Sequence, residues 1–479
     1  MKSKAESIII KKKKKHRKLF VESIKLAAFL WQWCIMRYFF RGLVMVTILH
    51  TSQSGFTQEF GAIVQRGQDD LHSAEQIVLP LLEEIRIQGL EALLSQVARF
   101  DGFAPKDLAD LVITQEECAK AYQNLDSTTK DALHIAYDRI TAFHTKQKQK
   151  SWFDSDEHGS ILGQIYTPIQ RAGLYIPGGK AAYPSSVLMN AIPALVAGVR
   201  EIIVCTPTPQ GQANPLLLAA LHICGIKEMY RVGGASAIGV FAYGLESSGK
   251  TLIPKVDVIS GPGNVFVATA KKLVFGKVGI DMIAGPSEIA IIADSSANPA
   301  YIARDLLSQA EHDEMACSLL FTTSQKLAEE VASRIEELLP SLPKSAIANA
   351  SIQNRGGIVV CKDIDEAITL CNELAPEHLE LMFDDAFAHL PAIKNAGAIF
   401  VGENTPEAIG DYLAGPNHTL PTGGSAKFFS PLGVDTFMKK SSLIAFSQQG
   451  IDKLAEPCAH LAELEGLYAH KLSALVRKS

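Results

Sequence analysis

The chain has no Cys-x-x-Cys pair anywhere in its 479 residues. Its eight cysteines, among them Cys118, Cys205, Cys224, Cys317, Cys361 and Cys371, stand singly and mostly within apolar runs. That usage favours reduced thiols and a cytoplasmic protein. A surplus of positive charge is lacking too: the formal net charge is -5, which argues against a dedicated nucleic-acid binder, since phosphate neutralisation needs a Lys/Arg surplus on some face. His-Glu-x-x-His is absent, and with it the commonest mark of a zinc hydrolase. Gly-x-Gly-x-x-Gly with a downstream acid is also missing, so spacing alone leaves a nicotinamide cofactor open against ordinary tight turns.

What is present is globular. A 47% hydrophobic and 20% charged composition can bury at least one large core, and the length suggests two or three domains. The first 44 residues differ from the rest. A basic run, Lys11 to Lys15 followed by His16-Arg17-Lys18, precedes an apolar stretch from Leu26 to Leu49 that Arg37 and Arg41 interrupt. Two central arginines are costly in a bilayer, and no small-residue cleavage site follows. The expectation is a start at Met45, with residues 1–44 outside the working protein and no membrane partner. A membrane-tethered interaction protein is the rival reading, and it rests on that segment alone.

Segments such as Ala74 to Leu94 and Leu125 to Phe143 carry apolar residues at helical spacing, and the polar stretch Lys146 to Gly159 reads as an exposed loop. Then a regular alternation begins. Apolar runs at Ala172 to Ile176, Ile202 to Cys205, Met229 to Val232 and Val256 to Ile259 are separated by helical stretches Ser186 to Ala197, Pro215 to Ile223 and Ala235 to Tyr243. Strand and helix in alternation imply a parallel sheet. Three strands end in glycine-rich turns, Pro177-Gly178-Gly179, Gly233-Gly234 and Gly261-Pro262-Gly263-Asn264, where such sheets bind ligands. A second alternation has runs at Ile289 to Ala293, Ser318 to Phe321, Ile358 to Val360 and Ala398 to Val401, with helices Ile302 to Ala310 and Lys326 to Leu339. The fold class is therefore α/β, in two halves.

Four polar motifs in the last third bring His close to Glu, Gln or Asp: Gln309-Ala310-Glu311-His312, Pro376-Glu377-His378, Asp411 to His418, and Glu465 to His470. Imidazole with oxygen donors is a ligand set that zinc accepts. Gln309 and His312, three residues apart at a helix end, could share one ion or merely cap the helix. A buried Asp411 would need a cation as partner. His378, as an imidazole beside an acid, is the natural general base or else a helix-boundary residue. His418 follows a Gly-Pro turn and reads as a loop-tip imidazole.

Several of these segments carry a family resemblance. They are Arg171 to Gly179 (RAGLYIPGG), Ser260 to Asn264 (SGPGN), Asp281 to Glu288 (DMIAGPSE), Leu306 to His312 (LLSQAEH), Pro376 to Leu379 (PEHL), and Gly410 to Thr422 (GDYLAGPNHTLPT). In this order, from about Met45 to the C-terminus, the chain resembles histidinol dehydrogenases. The resemblance implies two incomplete Rossmann-like parallel-sheet domains with a helical N-terminal lead-in and a C-terminal dimerisation arm. The expected division is an arm over 45–72, a zinc and substrate domain over 73–174 and 286–435, an NAD domain over 175–285, and a C-terminal arm over 436–479.

It further implies zinc, one per subunit, and NAD, with L-histidinol oxidised through histidinal to L-histidine by a homodimer. Gln309, His312, Asp411 and His470 would hold zinc, His470 from the neighbouring subunit. Substrate would lie near the same four residues and near Ser287, His378, His418 and Glu465. His378 would be the base, and Glu377 would activate the water that hydrates the aldehyde. The stretch from Leu443 to Ser479 is helical by pattern and would form the arm that crosses to the partner. Tyr175 and Asn264 match the NAD-contacting positions of the family, but Gly233-Gly234-Ala235-Ser236-Ala237 has Ser236 where the family has Gln. The shorter side chain predicts weaker or rearranged NAD binding. Ser236→Gln should therefore lower the Michaelis constant for NAD in steady-state assays, and an unchanged value would count against this role.

Overall fold

The computed structural model describes residues 46–65, 68–178 and 183–479. The basic and apolar opening, with its choice between anchor and upstream segment, lies outside the described residues, as does Gly179 of the first glycine turn. Among the described residues no helix is long and apolar enough to cross a membrane.

Strand β1 (Ile48–His50) comes first, and helices occupy much of the stretch to Thr145. Then follow β2 (Trp152–Ser155), β3 (Ile161–Pro168), β4 (Arg171–Tyr175), β5 (Glu201–Thr206) and β6 (Glu228–Arg231). A hairpin of β7 (Leu245–Ser247) and β8 (Lys250–Ile253) precedes β9 (Val258–Ser260) and β10 (Gly279–Ile280). The second half supplies β11 (Glu288–Ala293), β12 (Cys317–Thr322), β13 (Gly357–Val360), β14 (His378–Met382) and β15 (Ala398–Val401), and β16 (Met438–Ala445) comes last.

Two parallel sheets result. One has six strands in the order β1-β13-β12-β11-β14-β15, the other five in the order β10-β9-β4-β5-β6. Both faces of each are covered, which is why the central strands read as unbroken apolar runs. In the six-stranded sheet Ile289 and Ile291 face one core with Leu306 and Val331, while Ala290 and Ile292 face the other with Phe321 and Leu381. In the five-stranded sheet Leu174 and Val204 pack on the helix Pro184–Ala197, and Ile203 and Ile259 pack around Phe241. The helices Gln68–Gln88 and Leu90–Asp101 contribute Leu82, Ile85, Leu93 and Val97 to the Phe241 core.

Four local expectations need correction. The helical run Ala74 to Leu94 is broken at Gly89, whose φ is +58° and whose Cβ, if present, would lie 2.2 Å from the carbonyl oxygen of Glu246. Only glycine lets the two helices turn there. The loop Lys146 to Gly159 contains β2, an exposed strand paired antiparallel with β3. Residues from Leu443 do not start a helix, because Leu443 to Ala445 finish β16 on the other side of β3; helices follow at Gln448–Leu464 and Tyr468–Leu475. Finally, His378 is not at a helix boundary but opens β14, a central strand.

Phe241 is fully buried, and its ring lies 2.8 Å from where a Cβ on Gly173 would stand. Phe241→Ala should destabilise the fold by about 3–5 kcal/mol in denaturant unfolding, the usual range for emptying an aromatic site.

Candidate active site

Three of the four polar motifs meet at the amino ends of β11 and β14. His378 is paired in register with Ile289, and its Nδ1 lies 2.9 Å from the carbonyl oxygen of Glu288. Glu377, just before the strand, accepts from the Glu288 N–H at 2.8 Å. After β15 the chain turns into a short helix, Glu407–Ile409, whose first N–H donates to Glu380 Oε1 at 2.8 Å. A π-helical turn, Gly410–Ala414, then carries Asp411, and such turns re-aim side chains at functional sites. The outcome is an imidazole between carboxylates: Glu407 lies 3.7 Å from His378 Nδ1, and Asp411 lies 3.7 Å from Nε2.

Gln309, in the last turn of the helix Pro299–Ala310, is fully buried, and its amide nitrogen faces the Glu407 carboxylate. His312 lies just past that helix, open to solvent on its outer side, and feels the charges of Asp411 and His378. His418 approaches the Asp411 carbonyl oxygen with Nδ1 at 3.0 Å. Ser287 immediately precedes Glu288 and is half-buried. Glu465 and His470 are elsewhere, exposed at and beyond the end of the helix Gln448–Leu464.

Charge dominates this site. Burial pushes the carboxyls of Glu377 and Glu407 up to about 8 and that of Asp305 to about 6, and it raises Glu380 well above the usual range. Burial also opposes a charge on His378, which is 3% exposed, but the Glu407, Glu377 and Asp411 carboxylates overcome it and hold the imidazole well above its ordinary pKa. For Asp411 the balance reverses: burial raises its pKa, and the His378 imidazole 3.7 Å away, with those of His418 and His312, brings it below the ordinary value. Desolvation lowers both His312 and His418.

A cation suits this set. Ligand atoms of His378, Glu407 and Asp411 all lie within 4.8 Å of one another. Among the described residues the buried Nε2 of His378 has no hydrogen-bond partner, and buried carboxylates need compensating charge. Glu407 was missed in the sequence, although it stands four residues before Asp411 in one helical segment, the spacing that puts two side chains on one face.

The glycine turns meet at the other sheet. Strands β4 and β9 are neighbours from which the order runs outward both ways, so the crevice beyond their carboxyl ends is a switch point. Tyr175 ends β4, and its hydroxyl accepts from the Gly234 N–H at 3.3 Å. Asn264 is exposed and caps the helix Val265–Val274, accepting from the N–H groups of Phe266 and Val267. Ser236 is only 4% exposed and donates to Gln96 Oε1 at 2.6 Å, which ties its helix to Leu90–Asp101. Asp101, at the end of that helix, sits beside Gly233, with Oδ1 3.3 Å from where a Cβ would stand.

Two parallel sheets, one with a buried acid and imidazole centre that suits a metal and one with a glycine-turned switch point, define a two-sheet α/β enzyme. The chain belongs to the histidinol dehydrogenase family, whose model matches residues 64–478. It is 61% identical over 422 residues to a histidinol dehydrogenase from Helicobacter hepaticus, covering 88% of this chain and 96% of that protein. It is 58% identical over 427 residues to one from Sulfurimonas denitrificans, covering 89% and 98%. The crystal structure of histidinol dehydrogenase from Elizabethkingia anophelis superposes with a TM-score of 0.83 at 35% identity, covering 91% of this chain and 98% of that one. The family's activity is the final step of histidine biosynthesis, and this chain is an oxidoreductase of that pathway.

Burial alone pushes Asp101 up to about 6 from 3.8. A carboxyl raised on folding leaves the fold unpenalised below its unfolded pKa and weakens it as pH rises through the folded value. Asp101→Asn should therefore raise the melting temperature at about pH 8 and leave it unchanged at about pH 3; a gain of equal size at both would contradict this account.

Proposed function

We propose that this chain performs the zinc-dependent, NAD-linked four-electron oxidation of L-histidinol to L-histidine through L-histidinal. The observation that carries the reading is the buried His378, flanked by Glu377, Glu407 and Asp411 at the amino ends of two central strands. Family membership supplies the substrate class.

Gln309, His312 and Asp411 would hold zinc together with His470 of the partner subunit, a reading supported by the His378, Glu407 and Asp411 ligand atoms that cluster within 4.8 Å of one another. Bound there, zinc supplies positive charge that anchors the nitrogens of the substrate and offsets the surrounding carboxylates. Ser287, His378, His418 and Glu465 of the partner subunit would complete the substrate site. His378 accepts the alcohol proton as hydride leaves for the nicotinamide. Glu377 then takes a proton from the water that adds to the aldehyde while His378 returns its proton to the aldehyde oxygen, and the neutral imidazole so restored removes a proton of the hydrate as the second hydride departs. Keeping the aldehyde enclosed between the steps protects it from side reactions.

NAD would lie over the switch point against Tyr175 and Asn264, with Ser236 acting through Gln96 on the helix behind. The NAD unit would extend beyond the expected 175–285, because β4 and the helices Gln68–Gln88 and Leu90–Asp101, expected in the zinc and substrate unit, share its sheet and core, and β1, expected in the 45–72 arm, belongs to the six-stranded sheet; the C-terminal arm over 436–479 would complete the division. A homodimer is part of the reading, because the C-terminal helix pair exposes Leu461, Leu464, Tyr468, Leu472 and Val476 and places Glu465 and His470 among them. So is a cytoplasmic setting, in keeping with cysteines that stand singly in the sequence with no Cys-x-x-Cys pair.

The test is to count NADH formed per histidinol consumed. Two per substrate, lost with a chelator and restored by zinc, is the expected result, and one per substrate with free aldehyde accumulating would refute the second oxidation. His378→Ala should lower kcat by about 10² to 10⁴, and oxidation at the wild-type rate would remove His378 from the mechanism.

A further inference from the structure

The turn that carries Asn264 is clamped by a buried ion pair. Lys271, on the inner side of the helix Val265–Val274, is 1% exposed and pairs with the Asp281 carboxylate, whose side chain is wholly buried. Both ends of the pair also grip the backbone of Gly261. The Lys271 ammonium donates to the Gly261 carbonyl oxygen at 3.0 Å, and Asp281 Oδ2 accepts from the Gly261 N–H at 2.9 Å. The other Asp281 oxygen accepts from the Met282 N–H at 2.6 Å, and the Asp281 N–H donates to the carbonyl oxygen of Ile259 at 3.0 Å. Gly261 has a φ of +124°, and a Cβ there would stand 1.9 Å from the Tyr175 carbonyl oxygen. The clamped peptide therefore lies directly against the end of β4.

Asp281 also begins the connection between the two sheets. From it the chain runs through Gly285, whose N–H donates to Thr422 Oγ1, to Ser287 and to Glu288, whose carbonyl oxygen meets His378. An ion pair removed from water contributes little net stability compared with apolar side chains of the same shape, so its use here points to specifying a conformation.

We infer that Lys271 and Asp281 are positioning residues that lock the Gly261 turn in the geometry NAD requires and fasten it to the segment leading to His378. This rests on the reading that NAD occupies the switch point. Lys271→Met with Asp281→Leu removes both charges together and leaves the Gly261 N–H and carbonyl without their partners. In the zinc-loaded full chain, this double variant should stay folded, with a melting temperature lowered by the two unpaired backbone groups, while its KM for NAD rises about tenfold or more. The KM for histidinol and the zinc content should stay within about twofold. A folded double variant with the wild-type KM for NAD would show the pair to be merely structural.

Should that variant fail to fold, Asp281→Asn decides. It retains an acceptor for the Gly261 N–H but loses the ionic bond to Lys271, and a wild-type KM for NAD in the folded protein overturns the inference. Tyr175→Ala and Asn264→Ala separate the two levels of the argument. If both leave the KM for NAD unchanged, the cofactor reading falls and this inference with it. If they raise it and the pair variants do not, only the inference falls.

Discussion

The constraint on which this molecule depends is the burial of several carboxyl groups around one imidazole. Glu288, Glu377, Glu380 and Glu407 are all nearly inaccessible, as is His378 among them. Such a group is tolerated only when each member is held by a partner or neutralised. The chain meets this with backbone donors: Glu288 N–H for Glu377, Glu407 N–H for Glu380 and Gly423 N–H for Glu288. Each of those donors comes from a different part of the six-stranded sheet or its connections. The charge cluster can therefore exist only once β11, β14 and the segment after β15 are in register.

The placement is uncommon. Ligand sites of parallel sheets usually lie beyond the carboxyl ends of the strands, and the five-stranded sheet follows that pattern with Tyr175 and the Gly261 turn. The six-stranded sheet instead uses the amino ends, where Glu288 and His378 begin β11 and β14. The helix Pro299–Ala310 runs back along the sheet from the far end of β11, which brings Gln309 and His312 to the same edge. One sheet thus offers its outgoing ends and the other its incoming ends, and the connection from Asp281 to Glu288 joins them.

Much of this was legible in the sequence. Apolar runs at Ala172 to Ile176, Ile202 to Cys205 and Ile289 to Ala293 correspond closely to β4, β5 and β11, because a strand buried on both faces has nothing polar to interrupt it, and Ala398 to Val401 matches the edge strand β15 although that strand is partly exposed. Strand β14 escaped for the opposite reason. His378 and Glu380 put two titratable groups into a buried strand, and a pattern rule reads those as surface. Glu407 escaped because only its contacts distinguish it from an ordinary first-turn acid. Ser236 could be seen as a substitution, but not that its hydroxyl reaches inward to Gln96. The exposed strands β2 and β16 and the half-buried β3 between them carry mixed polar and apolar side chains and no clean period.

Strand β1 gives the molecule a history as well as a shape. Ile48 lies opposite Ile358 in a parallel pairing, so the outermost strand of the six-stranded sheet is synthesised long before the neighbour that receives it. All of the five-stranded sheet emerges in between. The larger sheet can therefore close only when β13 arrives, and the core beside β4 and β5 is completed later still, by Leu432, Val434 and Phe437. The two ends of this fold are thus joined late, and the metal-ready cluster, with donors on both sides of β14, is among the last features to take shape.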